Sequence, residues 1–128
     1  MNPEFPDPLD LQDNNNETYT LLAPFRYGPS AIARHIIDVP AGFITDFASV
    51  PKIVWNILPP DGPYGRAAVV HDYLYSTKGL GGELTRAQCD GILLEAMKAL
   101  AVGGLVQAVI YRAVRLFGQS HWDAPPAS

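Results

Sequence analysis

The chain has 128 residues, of which 48% are hydrophobic and 17% charged, and its formal net charge is −4. This composition is typical of one folded domain and excludes a disordered chain. The nine Lys and Arg residues are scattered, which argues against nucleic-acid binding as the main role. A single cysteine excludes an intrachain disulfide and a multi-cysteine zinc site.

The first sixteen residues are rich in proline, asparagine and acidic side chains. This predicts a flexible N-terminal arm over residues 1–16, and an arm that docks on a partner subunit is the alternative. The beginning of the chain lacks a basic stretch followed by an apolar run, so no signal peptide is expected. The most apolar stretch is too short and interrupted for a transmembrane segment.

Strand patterns occupy the next part of the chain. Two runs with strand-like patterns, 17–25 and 31–39, flank turn-forming residues at 26–30. This arrangement predicts an antiparallel hairpin. Residues 43–47 are expected to add a short third strand.

Helical patterns follow. Pro51 suits the first turn of a short helix over 51–58, and a second helix is predicted from Pro63 or Tyr64 to Ser76. The segment 85–88 fits a capping box, with Thr85 as the N-cap and Gln88 as the returning residue, and starts a third helix. A fourth helix is predicted over 105–117, and its expected inward positions are Val106, Val109, Ile110, Ala113, Val114 and Phe117.

These elements predict an α+β fold in which an N-terminal antiparallel hairpin or small sheet precedes a bundle of three to four helices. We expect a single domain over residues 17–118. The last ten residues, 119–128, are expected to form a C-terminal tail, and folding back of His121-Trp122 is the alternative.

The predicted site centres on His71 of the second helix. Tyr75 lies four residues later on the same face, whereas Asp72 is rotated by about a hundred degrees. Asp90 heads an apolar stripe of the third helix, where a buried carboxylate needs a partner. If that partner is His71, the carboxylate fixes the tautomer and leaves the second ring nitrogen as a base. Asp72 is then the candidate ligand for a hard divalent cation.

Two other interpretations of these residues stay open. His71 and Asp90 are equally compatible with a buried structural pair that ties two helices together. A Ser-His-Asp triad from Ser49, His71 and either Asp90 or Asp46 is compatible with the composition, but the chain has no Gly-x-Ser-x-Gly nucleophile motif.

The string His71-Asp72-Tyr73-Leu74-Tyr75, followed by a helical Asp90, resembles the two-helix core of phospholipases A2 and is closest to the disulfide-free parvovirus type. The resemblance covers about a quarter of the chain. It implies that His71 is the base that activates water, that Tyr75 and Asp90 steady it, and that Asp72 holds calcium. The sequence departs from the family upstream, where 61–65 does not match the glycine-rich calcium loop.

A broader resemblance covers most of the chain. The segments 39–51, 67–75 and 113–118 resemble a phage and prophage family of unknown function, number 1353 among catalogued domains of that kind. Membership implies a phage-type protein without an established activity. The residue before the helical Asp is Cys89, where that family usually has alanine.

Together these features lead to two hypotheses. The first is a phage-type, phospholipase A2-like esterase or hydrolase, acting on an ester or lipid substrate, with catalytic His71, Asp90 and Tyr75, and calcium at Asp72. The second is a non-enzymatic tail, virion or assembly protein whose partners are other phage structural proteins. A host-directed inhibitor is a third possibility that the acidic composition allows. We expect synthesis in the host cytoplasm, with or without incorporation in the virion.

Overall fold

The computed structural model describes residues 3–47, 50 and 64–124. Within these residues, short antiparallel strands come first and helices follow. The predicted α+β class is therefore confirmed.

The strands form two small sheets in the described part of the chain. β1 (Leu11–Asp13), β2 (Tyr19–Leu21) and β5 (Ile44–Thr45) make an antiparallel sheet with β2 in the centre. β3 (Phe25–Tyr27) and β4 (Ile37–Val39) pair separately, also antiparallel. The predicted third strand is thus present as β5.

The hairpin differs from the prediction in its boundaries. The run 17–25 divides into β2 and β3, which join different sheets, and Pro24 between them has no backbone N–H to continue a ladder. Residues after Ser30 form a turn, in which the backbone N–H of Arg34 donates to the Ser30 carbonyl over 2.7 Å. The second strand of the hairpin therefore begins only at Ile37.

The N-terminal segment, predicted as a flexible arm, packs on the sheets in the structure. Phe5 is buried, with its ring centroid 4.8 Å from that of Tyr27 and 5.7 Å from that of Phe25. Asp7 accepts hydrogen bonds from the backbone N–H and the guanidinium of Arg26. Composition indicated little regular structure here, but a buried aromatic ring, an ion pair and the pairing of β1 with β2 hold the segment in place.

The helices have the following bounds: α1 (Tyr64–Ser76), α2 (Lys78–Gly82), α3 (Arg86–Ala99), α4 (Gly104–Phe117) and α5 (Gln119–Asp123). The short α2 is a left-handed turn, since φ is positive at all five of its residues. The predicted helix over 51–58 lies outside the described residues. Over the residues that are described, no helix is both long enough and apolar enough to cross a membrane.

Helix α1 is the centre of the fold. It packs against α3 and also contacts β4, β5 and α5. Its first turns carry small and branched apolar side chains that are completely buried, namely Ala67, Ala68, Val69 and Val70. Because α4 packs on α3, α3 lies between α1 and α4 in the helical layer.

The predicted capping box at the beginning of α3 is confirmed. The backbone N–H of Gln88 donates to Thr85 Oγ1 over 3.1 Å, and the backbone N–H of Thr85 donates to Gln88 Oε1 over 2.9 Å. This reciprocal pair satisfies two N–H groups at the helix end and fixes where α3 begins. The helical repeat then directs Asp90 towards α1.

Helix α4 buries less than predicted. Ile110 and Val114 are completely buried as expected, but Val109 is 50% exposed and Phe117 is 64% exposed. The apolar residues of this helix extend beyond the side that packs on α3, so the 3.6-residue period placed exposed positions on the predicted inward face.

Candidate active site

A carboxylate on α3 meets two side chains of α1. His71 Nε2 lies 2.8 Å from Asp90 Oδ1, and Tyr75 Oη donates to the same oxygen over 2.6 Å. His71 and Asp90 are fully buried and Tyr75 is 2% exposed. The structure therefore brings together the three residues that the sequence suggested as catalytic.

The protonation of the imidazole follows from this contact. An ionised carboxylate only accepts hydrogen bonds, so the short contact assigns the proton of a neutral His71 to Nε2. Nδ1 is then the ring nitrogen that would receive a proton from water. Since the ring has no exposed surface, this role requires that water and substrate gain access to it.

Two arginines lie near the second carboxylate oxygen of Asp90, Oδ2. Arg115 of α4 donates from Nη1 to Asp90 Oδ2 over 2.6 Å, and Arg86 of α3 places Nη2 at 3.9 Å from that oxygen. Arg86 also donates to Tyr75 Oη and to the carbonyls of Val114 and Arg115 near the end of α4. The site therefore joins α1, α3 and α4 into one network.

The sequence did not assign these arginines to the site. Arg86 entered the sequence prediction only as part of the capping-box segment 85–88. The sequence feature that could have identified Arg86 is its position one helical turn before Asp90, where the two side chains can meet. Arg115 is brought there by the packing of α4 on α3, which no local pattern specifies.

The charges in the network set the protonation states. Burial alone raises the pKa of Asp90, but hydrogen bonds from His71, Tyr75 and Arg115 outweigh burial and hold the pKa below the ordinary value of 3.8. Burial and the neighbouring carboxylate raise the pKa of Tyr75. Asp90 is therefore ionised and Tyr75 is a neutral donor at neutral pH.

Acid is expected to destabilise the fold through Asp90. Because its pKa is lower in the folded chain than in the unfolded chain, its contribution is fully present above about pH 4 and is lost as the pH falls through the folded value. Urea titrations over a range of pH should show the free energy of unfolding falling below about pH 4. In Asp90→Asn the contribution of Asp90 to this fall in the free energy of unfolding should be absent. The same pH dependence of the free energy of unfolding in the wild type and in Asp90→Asn would contradict the assignment of the fall to Asp90.

Asp72 points away from this network. It is partly buried, and Thr45 Oγ1 donates to its Oδ2 over 2.5 Å, while the backbone N–H of Phe47 donates to Thr45 Oγ1. His71 thus faces α3 while its neighbour faces β5. The helical rotation predicted that the two side chains share one pocket without a bond between them, whereas in the structure they face different elements.

The donor set around Asp72 matches calcium in type but falls short in number. A carboxylate and a hydroxyl are the hard oxygen donors that calcium takes, but calcium requires about six to eight of them. The described residues contain no group of three or more His, Cys, Asp or Glu side chains placed to hold a metal ion. The candidate stand-in for a calcium loop, 61–65, lies mostly outside the described residues.

The remaining candidates are distributed over the molecule. His35 is exposed and contacts Glu83 over 2.5 Å, and His121 is exposed on α5. Burial raises the pKa of Cys89 to about 12, so its thiol is neutral. Ser49, the nucleophile of the triad alternative, lies outside the described residues.

The C-terminal region adds to the site, because the segment predicted as a tail folds back at Trp122, as the alternative interpretation had it. Trp122 of α5 packs edge-on against Tyr75, with ring centroids 5.2 Å apart. Lys78 Nζ donates to the backbone carbonyl of Trp122. These contacts hold α5 over the end of α1, which carries the tyrosine.

Comparison with known proteins gives two matches. A family model described as "Protein of unknown function (DUF1353)" matches residues 19–114. "Uncharacterized protein y4jT" of Sinorhizobium fredii (strain NBRC 101917 / NGR234) is 34% identical over 82 residues, which are 62% of this chain and 23% of that protein. The chain thus spans under a quarter of the length of this relative. No solved structure matches the chain.

Proposed function

The chain belongs to DUF1353, a family of proteins of unknown function, and we propose its activity from the geometry of its own site. The proposed activity is phospholipase A2-like, metal-assisted hydrolysis of an ester. His71 is the base that activates water. The observation that carries this proposal is the pair of contacts on Asp90 Oδ1, from His71 Nε2 at 2.8 Å and from Tyr75 Oη at 2.6 Å. A carboxylate that holds one ring nitrogen orients the other for proton transfer.

The reaction proceeds by general base catalysis. His71 Nδ1 takes a proton from water, and the resulting hydroxide attacks the ester carbonyl carbon. The tetrahedral intermediate then expels the alcohol oxygen, which receives the proton back from His71. The charge of the protonated ring is offset by Asp90, whose ionised state is maintained by Arg115.

Tyr75 and Arg86 act as positioning residues. Tyr75 shares the Asp90 oxygen with His71 and receives a hydrogen bond from Arg86 Nε over 3.1 Å. Together these bonds fix the carboxylate, so the imidazole it holds keeps one orientation. A calcium ion bound at Asp72 would supply positive charge for the oxyanion of the intermediate.

The proposal is tested by hydrolysis of a panel of phospholipids and simple carboxylic esters in the presence of calcium. We expect release of a carboxylic acid from at least one of them. Purified, folded protein that hydrolyses none of the panel would overturn the proposal.

Calcium binding is tested separately by calorimetry. We expect the wild-type chain to bind calcium and Asp72→Asn to lose at least about tenfold in affinity, because a carboxylate provides most of the charge at such a site. Exposed Asp10 provides the matched control, and Asp10→Asn should bind like the wild type. Equal affinity in wild type and Asp72→Asn would remove Asp72 as the ligand.

The second candidate is a non-enzymatic protein of a phage tail, virion or assembly complex. The complete burial of His71 and Asp90 favours this second candidate. A hydrogen-bonded pair that only holds two helices together needs no access for water. Support for a phage origin comes from the sequence segments 39–51, 67–75 and 113–118. Detection of the protein in purified particles, together with full infectivity of phage carrying His71→Gln, would favour this function over hydrolysis.

A further inference from the structure

The outer side of α4 is apolar and exposed. Leu105 is 80% exposed, Leu116 is 73% exposed and Phe117 is 64% exposed, and Val109 is half exposed. With about a hundred degrees per residue, Leu105, Val109 and Leu116 project on one side. The completely buried Ile110 and Val114 lie on the opposite side. We call the exposed set, with Phe117 at its end, the α4 outer face.

The charge of α4 differs from that of the rest of the chain. The chain has 13 acidic and nine basic residues, yet residues 104–117 contain two arginines and no acidic residue. Arg112 is exposed and lies among the leucines of the outer face by the same helical period. The α4 outer face therefore combines exposed apolar side chains with a positive charge.

We propose that the α4 outer face docks on an anionic lipid bilayer. An amphipathic helix that lies in the interface buries leucine and phenylalanine side chains at the acyl boundary and directs arginines to the lipid phosphates. Anionic headgroups attract the basic residues that lie near the surface of the bilayer. The apolar set and the arginine of α4 satisfy both requirements.

A second copy of the chain fits this face less well. Symmetric pairing of two α4 helices would bring arginines of both copies together in an apolar interface. Since α4 has no acidic residue to pair with them, these charges would be buried without a partner on the helix. Lipid phosphates supply the negative charge that a second α4 lacks.

The docking face and the candidate site share one helix. Arg115 of α4 is 35% exposed and also donates to Asp90. Docking through α4 therefore brings the His71 network close to the bilayer. The docking proposal stands on α4 itself and does not depend on hydrolysis at His71.

Co-sedimentation with vesicles tests the proposal. The full chain is mixed with vesicles of ether-linked phosphatidylcholine, alone or with ether-linked phosphatidylglycerol, so that no ester is available for hydrolysis. We expect binding to the anionic vesicles, weaker binding to the neutral vesicles, and loss of binding as salt is raised. Leu105→Gln combined with Leu116→Gln should weaken binding by at least about tenfold, and Arg112→Gln should weaken it on anionic vesicles only.

Leu22, which is 51% exposed outside α4, provides the matched control, and Leu22→Gln should bind like the wild type. Absence of sedimentation with either vesicle, or equal binding to neutral and anionic vesicles, would overturn the proposal. So would a concentration-dependent dimer in analytical ultracentrifugation that the double leucine variant abolishes. Hydrolysis of a short soluble ester should be unchanged in the double variant, which separates failure of docking from failure of the catalytic proposal.

Discussion

Replacing Asp90 with alanine is expected to lower the free energy of unfolding by about 3–5 kcal/mol, which is the effect of removing one partner from a buried ionic network. The carboxylate accepts from His71, Tyr75 and Arg115. Its removal leaves three donors without this acceptor, two of them on the buried side chains of His71 and Tyr75, and the network that joins α1, α3 and α4 is lost. Urea denaturation monitored by circular dichroism measures the difference.

The matched control is Asp10→Ala, because Asp10 is an exposed aspartate. Its substitution is expected to change the free energy of unfolding by no more than about 0.5 kcal/mol. A loss below about 1 kcal/mol in Asp90→Ala would show that the network contributes little to the fold.

Replacing His71 with glutamine is expected to reduce ester hydrolysis by about a hundredfold to ten-thousandfold, the usual contribution of a general base. Glutamine is of similar length and its amide N–H can still donate to Asp90, so the fold should be retained. What the variant lacks is a ring nitrogen that accepts a proton. Initial rates at saturating ester, with the thermal unfolding midpoint recorded for each protein, measure the effect.

His121→Gln is the control for this substitution, since the side chain of His121 is exposed on α5. Its rate should equal that of the wild type. If His71→Gln retained the wild-type rate, the His71–Asp90 pair would be a structural tie and not the catalytic base.

The order of elements and the central pair could be predicted because local patterns specify them. The capping box at Thr85 fixed the beginning of α3, and the helical repeat then placed Asp90 on its inner side. The spacing of His71 and Tyr75 placed both on one side of α1. The contacts of both with one carboxylate oxygen follow from these two helical registers.

The parts that were not predicted depend on tertiary packing. Phe5 is buried by aromatic neighbours twenty and twenty-two positions later, Phe25 and Tyr27, and a proline-rich composition does not indicate them. Arg115 reaches Asp90 only because α4 packs on α3. The inner side of α4 was assigned too widely, because its apolar residues extend beyond the side that packs on α3.

The proposed catalytic role of the Asp90-oriented His71 is tested most directly by the release of fatty acid from a short-chain, soluble phosphatidylcholine. The wild-type chain is measured in calcium and in excess chelator, beside His71→Gln in calcium. We predict release by the wild type in calcium and little release in the other two reactions. No release by folded wild-type protein, or equal release by His71→Gln, would contradict that role.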